Sequence, residues 1–493
     1  MHRTKPTVSL VMIVRDEALH LADCLTPVAP LLDEIVIADT GSRDATRQIA
    51  GRFTSNVLDV PWRDDFSAAR NAALRRSTGE YVFWLDADDR LTPPHLDKLA
   101  ALFAQLTDHP QAFFMDTASH FQHACDGMQV HSHLRLFRRH PAIEWRGHVH
   151  EQLRPGPTRL GHEIIWTDIQ IDHLGYQSPA IRQRKLRRNI RLLAMDYAVD
   201  PTDCCTLLHL GMAHAELGQY PAARQYLQQC LAGDERGLDH RRRIYHALAD
   251  LSVREGKSHE ALAIVATGLQ EFPCDDSLLF LQADILCALA RYADSERSLG
   301  LLLASPATRS HHGGPGEIRQ KLAPRMMAEV LANQNRFQEA AMILQQLLSE
   351  SPTDSRALYL LGGICVGAQD MSSLQIVCER LRVSPQGDYF AAVLESRWHL
   401  DRRQISSAQH TIDWLIAELP EAPLPRVLRC QLLALQNAPV AARVQACRDL
   451  LRLERDNAAA LRELQSLQDS ECVVAYSAAS ELCSSIVCSP GLA

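Results

Sequence analysis

Apolar residues open the chain in short unbroken runs, each followed by a helix-spaced segment. The run at 8–14 (VSLVMIV) precedes helical spacing over 17–32, and the run at 33–42 (DEIVIADTGS) leads into a turn. Helical spacing over 44–53, an extended stretch at 56–62 and a helix over 65–78 follow, and a last apolar run (81–89, YVFWLDADD) ends in three carboxylates. Continuous apolar strands separated by helices predict a parallel sheet covered on both faces. Ligands of such sheets sit beyond the carboxyl ends of the strands. Three polar groups fall there: Arg15-Asp16-Glu17, Asp39-Thr40-Gly41-Ser42 and Asp86-Ala87-Asp88-Asp89.

The pattern changes twice more. Residues 113–175 read as strands punctuated by aromatic residues and histidines, and 178–201 as one long basic amphipathic helix whose charges form a solvated face. From 201 onward helix follows helix. Small residues recur at Gly211, Ala223 and Cys230, and again at Ala249, Ala261 and Gly268. A spacing of 34 links Ala249 to Ala283 and Ala328 to Gly362. That period, with small residues where two helices cross, is the tetratricopeptide pattern. The expected organisation is an α/β domain over 1–180, a connecting helix over 181–200, an all-α tetratricopeptide-like solenoid over 201–470, and a poorly ordered tail over 471–493.

Composition narrows the setting. The formal charge of −8 carries no basic footprint for nucleic acid. No run reaches the roughly 18 apolar residues of a membrane helix, and the first residues lack a full signal-peptide core, so a soluble, cytoplasmic protein is expected. The fourteen cysteines are scattered. Most, such as Cys230, sit in helical patterns and are expected to be reduced core thiols; no spacing suits zinc.

Asp86 and Asp88 alternate on an extended chain and can reach one side. Held close and ionised, they repel unless a divalent cation or hydrogen bonds compensate, and Mg²⁺ or Mn²⁺ accepts such oxygens while leaving positions for phosphate.

The segments VSLVMIVRDEALHLADCL, DEIVIADTGSRDAT, FSAARNAAL and GEYVFWLDADD resemble, in order and spacing, the motifs of family 2 nucleotide-sugar glycosyltransferases. LRLFRRHPAIEWRGHVHEQL, then IDHLGY and helical repeats, resembles the branch that includes the bacteriocin S-glycosyltransferases, which modify a peptide cysteine. The resemblance implies an A-type glycosyltransferase fold with a Rossmann-like mixed sheet and an inverting displacement. It places Val14 and Glu17 in the nucleoside pocket, Asp39 on the base, Asp44 in the acidic turn, Arg70 near the diphosphate, Asp86 near ribose or metal, and Asp88 on the metal. Asp44 also suits a helix cap, Arg70 an exposed helix position and Glu17 a first helical turn. Glu151 is the candidate base, with His148 and His150 on the other side of a strand. His173 is the candidate third metal or phosphate ligand, with His150 in reserve; Asp89 and Asp116 are rivals for acidic roles. The QxxRW motif of processive synthases is absent, and Arg135 and Arg138 stand in a different setting.

Together these readings suggest transfer of one sugar from a nucleotide sugar, UDP being the first expectation, with a divalent cation. The acceptor would be a protein or peptide recruited by the repeats, which also offer a surface for a homodimer. Transfer to a lipid-linked or cell-surface glycan, and a repeat scaffold with a non-catalytic nucleotide-binding domain, are the alternatives.

Overall fold

A computed structural model describes residues 5–120, 128–174, 179–233, 238–305, 318–384, 387–454 and 457–467. The tail expected at 471–493 lies outside them. The chain forms two compact units, Met1–Ala323 and Pro324–Ala493, so the division falls within the helical array.

The first unit is built on β1 (Val8–Val14), β2 (Glu34–Asp39), β3 (Val57–Asp59), β4 (Tyr81–Trp84), β5 (Asp89–Arg90), β6 (Gln111–His120), β7 (Met128–Arg138) and β10 (Glu163–His173). They form one eight-stranded sheet in the order β3-β2-β1-β4-β7-β6-β10-β5, while β8 (Glu144–Arg146) and β9 (Gln152–Arg154) pair separately. Strands β1 to β4 are parallel to one another, as their helical crossovers require. Strand β7 enters antiparallel to both β4 and β6, so the sheet is mixed.

The side-chain period of two is visible in β1: Leu10 and Met12 face one core, Val11 the other. The first core is closed by α1 (Leu21–Val28) and α4 (Pro93–Gln105), the second by α3 (Phe66–Arg76). The short α2 (Thr46–Ala50) follows β2. With β1, β2 and β4 parallel, their polar tips share one edge.

Helix α5 (Pro179–Val199) leads into three helix pairs: α6 (Cys204–Glu216) with α7 (Tyr220–Ala232), α8 (Leu238–Arg254) with α9 (Ser258–Glu271), and α10 (Asp276–Ala288) with α11 (Tyr292–Ala304). The small residues do what their spacing predicts. Ala249, Ala261 and Ala283 are fully buried, and a Cβ on Gly211 would lie 2.5 Å from Leu227 Cγ. Cys204 and Cys230 are joined in a disulfide rather than reduced, because α6 and α7 pack antiparallel and bring their Cα atoms to 5.1 Å.

In the second unit, helix pairs continue through Ser355–Gly367 with Met371–Arg382 and Gly387–Asp401 with Ile405–Glu418. Left-handed residues close the turns within successive pairs at Asn335, Gln369, Arg403 and Asn437. Their separation of 34 is the repeat period read from sequence. Among the described residues no helix is long and apolar enough to cross a membrane.

Candidate active site at the sheet edge

Asp39 ends β2 and is fully buried. Its Oδ1 accepts from the backbone N–H groups of Gly41 and Ser42, both at 2.9 Å, in a turn that Gly41 permits with φ of 100°. Its Oδ2 is buried without a partner. A buried carboxylate oxygen without a donor is costly, and a ligand N–H would satisfy it. Val14 ends β1 beside it; its carbonyl accepts from Thr40 N at 3.0 Å and Thr40 Oγ1 at 3.1 Å.

Asp44 has a local task. Its Oδ1 accepts from Thr46 N at 2.9 Å and Thr46 Oγ1 at 2.5 Å, and its Oδ2 from Ala18 N at 3.1 Å. It therefore ties the turn after β2 to the turn after β1. Thr46 Oγ1 in turn accepts from Glu17 N at 2.7 Å. The Glu17 carboxyl is raised to about 7, by burial first and then by the neighbouring Asp88 charge.

The carboxylates after β4 are sorted by the sheet itself. The two-residue β5 turns back antiparallel on β10, which sets His173 opposite Asp89. Asp89 is buried, and its Oδ2 accepts from Asp86 N and Arg135 Nη1, both at 2.9 Å. His173 Nδ1 lies 2.9 Å from Asp89 Oδ1 and 3.4 Å from Asp88 Oδ1. Asp86, Asp89 and His173 each offer a ligand atom within 4.8 Å of the others. Both oxygens of Asp89 are engaged by protein groups, so Asp89 braces the turn while also standing in this group.

The electrostatics agree. Burial alone would raise the Asp86 carboxyl, but Arg70, Arg135 and His173 outweigh it and hold it well below the usual range. Asp88 is raised, by burial and then by Asp86 and Asp89 acting against His173. For His173 burial favours the neutral ring, yet the hydrogen bond to Asp89 and the surrounding acids raise it. Two carboxylates and an imidazole, with acid repulsion left over at Asp88, suit Mn²⁺ or Mg²⁺.

Arg70, on α3, is buried rather than exposed. Its Nη2 donates to Asp86 Oδ1 at 3.0 Å and its Nε pairs with Glu151. The guanidinium centre lies 4.5 Å from the Trp84 ring centroid and 5.3 Å from that of Trp145. Its Nη1 is buried without a partner. Arg70 thus joins Glu151 to the acid cluster.

Glu151 does not sit on a strand. Gly147 and His150 have φ of 101° and 52°, which breaks the extended chain between β8 and β9. His148 consequently turns to Asp196 on α5, its Nδ1 2.6 Å from Asp196 Oδ1, and His150 stacks on His209 of α6 with centroids 4.2 Å apart. Neither joins the acid cluster. Asp116 accepts from Ser132 Oγ at 2.5 Å on the neighbouring strand, and Arg138 donates to Thr107 O at 3.0 Å. Sequence reasoning missed the bracing Arg135–Asp89 pair, the tryptophans around Arg70, and Asp196; the alternation of LRLFRR was the available signal for Arg135.

An α/β sheet with this acid-lined edge, followed by helical repeats, defines a class that comparison supports. Residues 9–148 match the family profile Glycosyl transferase family 2. The chain therefore carries an N-terminal family 2 glycosyltransferase domain followed by a tetratricopeptide-like helical region. It is 34% identical over 272 residues to a TPR repeat-containing protein of Synechococcus elongatus, covering 54% of this chain and 66% of that protein. It is 26% identical over 246 residues to the SPbeta prophage-derived glycosyltransferase SunS of Bacillus subtilis, covering 48% of this chain and 56% of that protein. The chain thus spans between about half and two thirds of the length of these relatives. Among solved structures, yeast Tom70 aligns with a TM-score of 0.42 at 11% identity, covering 63% of this chain and 64% of that one. A tetratricopeptide repeat protein from Parabacteroides merdae aligns with a TM-score of 0.41 at 16% identity, covering 51% and 94%.

Proposed function

We propose that the chain is a metal-dependent inverting glycosyltransferase that moves one sugar from a nucleotide sugar to a protein or peptide acceptor recruited by the helical repeats. The carrying observation is the convergence on one sheet edge of Asp39, with a buried unpartnered oxygen, and the acid cluster of Asp86, Asp89 and His173, with Asp88 3.4 Å from the His173 ring. In this reading Asp39 Oδ2 accepts from the base, and Val14, Glu17 and Asp44 shape the nucleoside pocket. UDP, whose base offers one such N–H, is the first nucleotide to try. Asp86, Asp88 and His173 would hold Mn²⁺ or Mg²⁺, which offsets the charge that develops on a departing diphosphate. Arg70 supplies a second, permanent positive charge beside it.

The bond between the sugar's anomeric carbon and the diphosphate breaks, its electron pair leaving with the diphosphate. The acceptor atom forms the new bond from the opposite face, and its proton passes to Glu151. A cysteine acceptor would need less of that help, since a thiolate is already a nucleophile. The cytosol is the proposed location, and the repeats are a surface on which two copies could also meet.

Purified chain with Mn²⁺ and a panel of UDP-glucose, UDP-N-acetylglucosamine and GDP-mannose tests the reading. Slow release of nucleotide from one donor, lost in Asp88→Ala, is expected. No turnover and no nucleotide binding across the panel would sink it. Mass spectrometry of cells with and without the intact enzyme should then show a sugar increment on one polypeptide. A changed surface glycan with unmodified proteins would move the acceptor to the glycan class.

A further inference from the structure

The loop bearing Glu151 is gripped from two sides. From the sheet domain, α3 holds it: Ser67 Oγ donates to Gly147 O at 2.6 Å and Phe66 N to His148 O at 3.0 Å. One turn further, Asn71 exchanges two 2.8 Å hydrogen bonds with the backbone of Trp145. From the helical side, Asp196 on α5 accepts from His148 N at 2.9 Å and meets its ring at 2.6 Å. Val149 packs with Leu192, Leu193 and Leu210. His150 lies flat on His209, the planes 8° apart, and His209 Nδ1 is fixed 2.8 Å from Cys205 O. Beyond Glu151, Gln152 Nε2 donates to Cys205 Sγ at 3.0 Å and Arg154 Nη2 to Asp203 Oδ1 at 2.6 Å.

These helical residues lie after residue 148, where the family match ends. Yet every residue from His148 to Arg154 except Glu151 and Leu153 touches α5, α6 or the Asp203 cap in these contacts. A histidine at φ of 52° is uncommon and persists only where its surroundings hold it. The stacked His209 ring does that at His150, one residue before Glu151.

We propose that Asp196 and His209 are positioning residues for Glu151, so that α5 and the first repeat helix are part of the transferase machinery and not an appendage to it. The inference rests on Glu151 acting in the proposed transfer. Asp196 fixes His148 and His209 fixes His150, so the next residue, Glu151, is held toward Arg70. Displacing a catalytic group by about 1 Å costs up to about 100-fold in rate, so losing either support should lower turnover while sparing the donor pocket.

The test uses the full chain. In Asp196→Ala and in His209→Ala, amide exchange over 147–154 should speed by about tenfold, while 34–46, which carries Asp39 and Asp44, keeps its protection. With the active donor, kcat should fall by about ten- to a hundredfold with donor KM little changed. His209→Phe, which keeps a flat ring under His150, should recover most of both losses. Unchanged exchange over 147–154 in both alanine variants would overturn the inference. If an alanine variant loosens the whole unit, His209→Phe decides: restored loop protection supports the proposal, and a loop as open as in His209→Ala overturns it. Should the unaltered chain turn over no donor, the proposed function fails separately, and exchange alone judges the clasp.

Discussion

Aspartates at the acid-lined sheet edge and at the helix starts of the repeats serve opposite ends. At the helix starts they are used on backbone. Asp203, Asp275, Asp354 and Asp370 each precede a helix and accept from its first N–H groups. Even the buried Asp276 is closed off by both Nε and Nη2 of Arg319, at 2.6 Å. At the sheet edge, Asp39 keeps a buried oxygen without a donor, and Asp86, Asp88 and Asp89 crowd together with Arg70, Arg135 and His173 against them. Buried charge left incompletely compensated is costly. A fold bears that cost where a ligand removes it, and the repeats show how the same side chain is neutralised where no ligand is required.

Substitution at the two ends should sharpen this contrast. Asp88→Ala is expected to have the largest effect, lowering Mn²⁺-dependent donor turnover by about 100- to 1,000-fold with the fold retained. Turnover by Asp88→Ala at the level of the unaltered chain would remove Asp88 from the ion. Asp39→Asn comes next. Losing a charged acceptor should weaken UDP binding by about ten- to a hundredfold, read by calorimetry. Because the change also removes the buried carboxylate oxygen that has no donor and keeps the oxygen that Gly41 and Ser42 bind, the melting temperature should hold or rise; a sharp fall would make Asp39 a structural residue like the caps.

In the repeats the same atom deletion should read the other way. Asp354 accepts from Arg356 N at 3.1 Å and Ala357 N at 3.0 Å. Asp354→Ala should cost about 1 kcal/mol of stability, seen as a lower melting temperature, with donor turnover unchanged. A loss of turnover without a loss of stability would break the division between the two regions.

The difference in use also explains what could be read beforehand. Strand tips and the 34-residue spacing are local or periodic signals, so the polar edge and the helical pairs were legible. The sorting of the acids was not. Asp89 is chosen as the brace by Arg135, 46 residues away on β7, and by the return of β5 onto β10. Nothing in DADD distinguishes it from Asp88. The bend at Glu151 depends on contacts to Asp196 and His209, which lie in what reads as a charged connecting helix and an ordinary repeat. The repeat turns hid for another reason. Ala290, Gln369 and Arg403 hold left-handed conformations that usually announce themselves through glycine or asparagine.

The smallest expected effect bears on the donor pocket without its ligands. Glu17 is raised from its ordinary 4.5 to about 7, chiefly by burial and then by Asp88. A raised carboxyl means that the folded chain holds this proton more tightly than the unfolded chain does. The associated stability is complete below about pH 4.5 and is lost as pH rises through about 7. Glu17 is only half-buried, so solvent screening keeps the effect modest. Melting temperatures of the metal-free chain should decline across that window, and Glu17→Gln should flatten the part of the slope that Glu17 contributes. Added Mn²⁺ should flatten it too, because an ion at Asp88 cancels the repulsion that helps to raise Glu17. An identical slope in Glu17→Gln would locate the titration elsewhere. A slope that Glu17→Gln removes but Mn²⁺ leaves untouched would part Glu17 from the ion, and with it the link between the nucleoside pocket and the acid cluster.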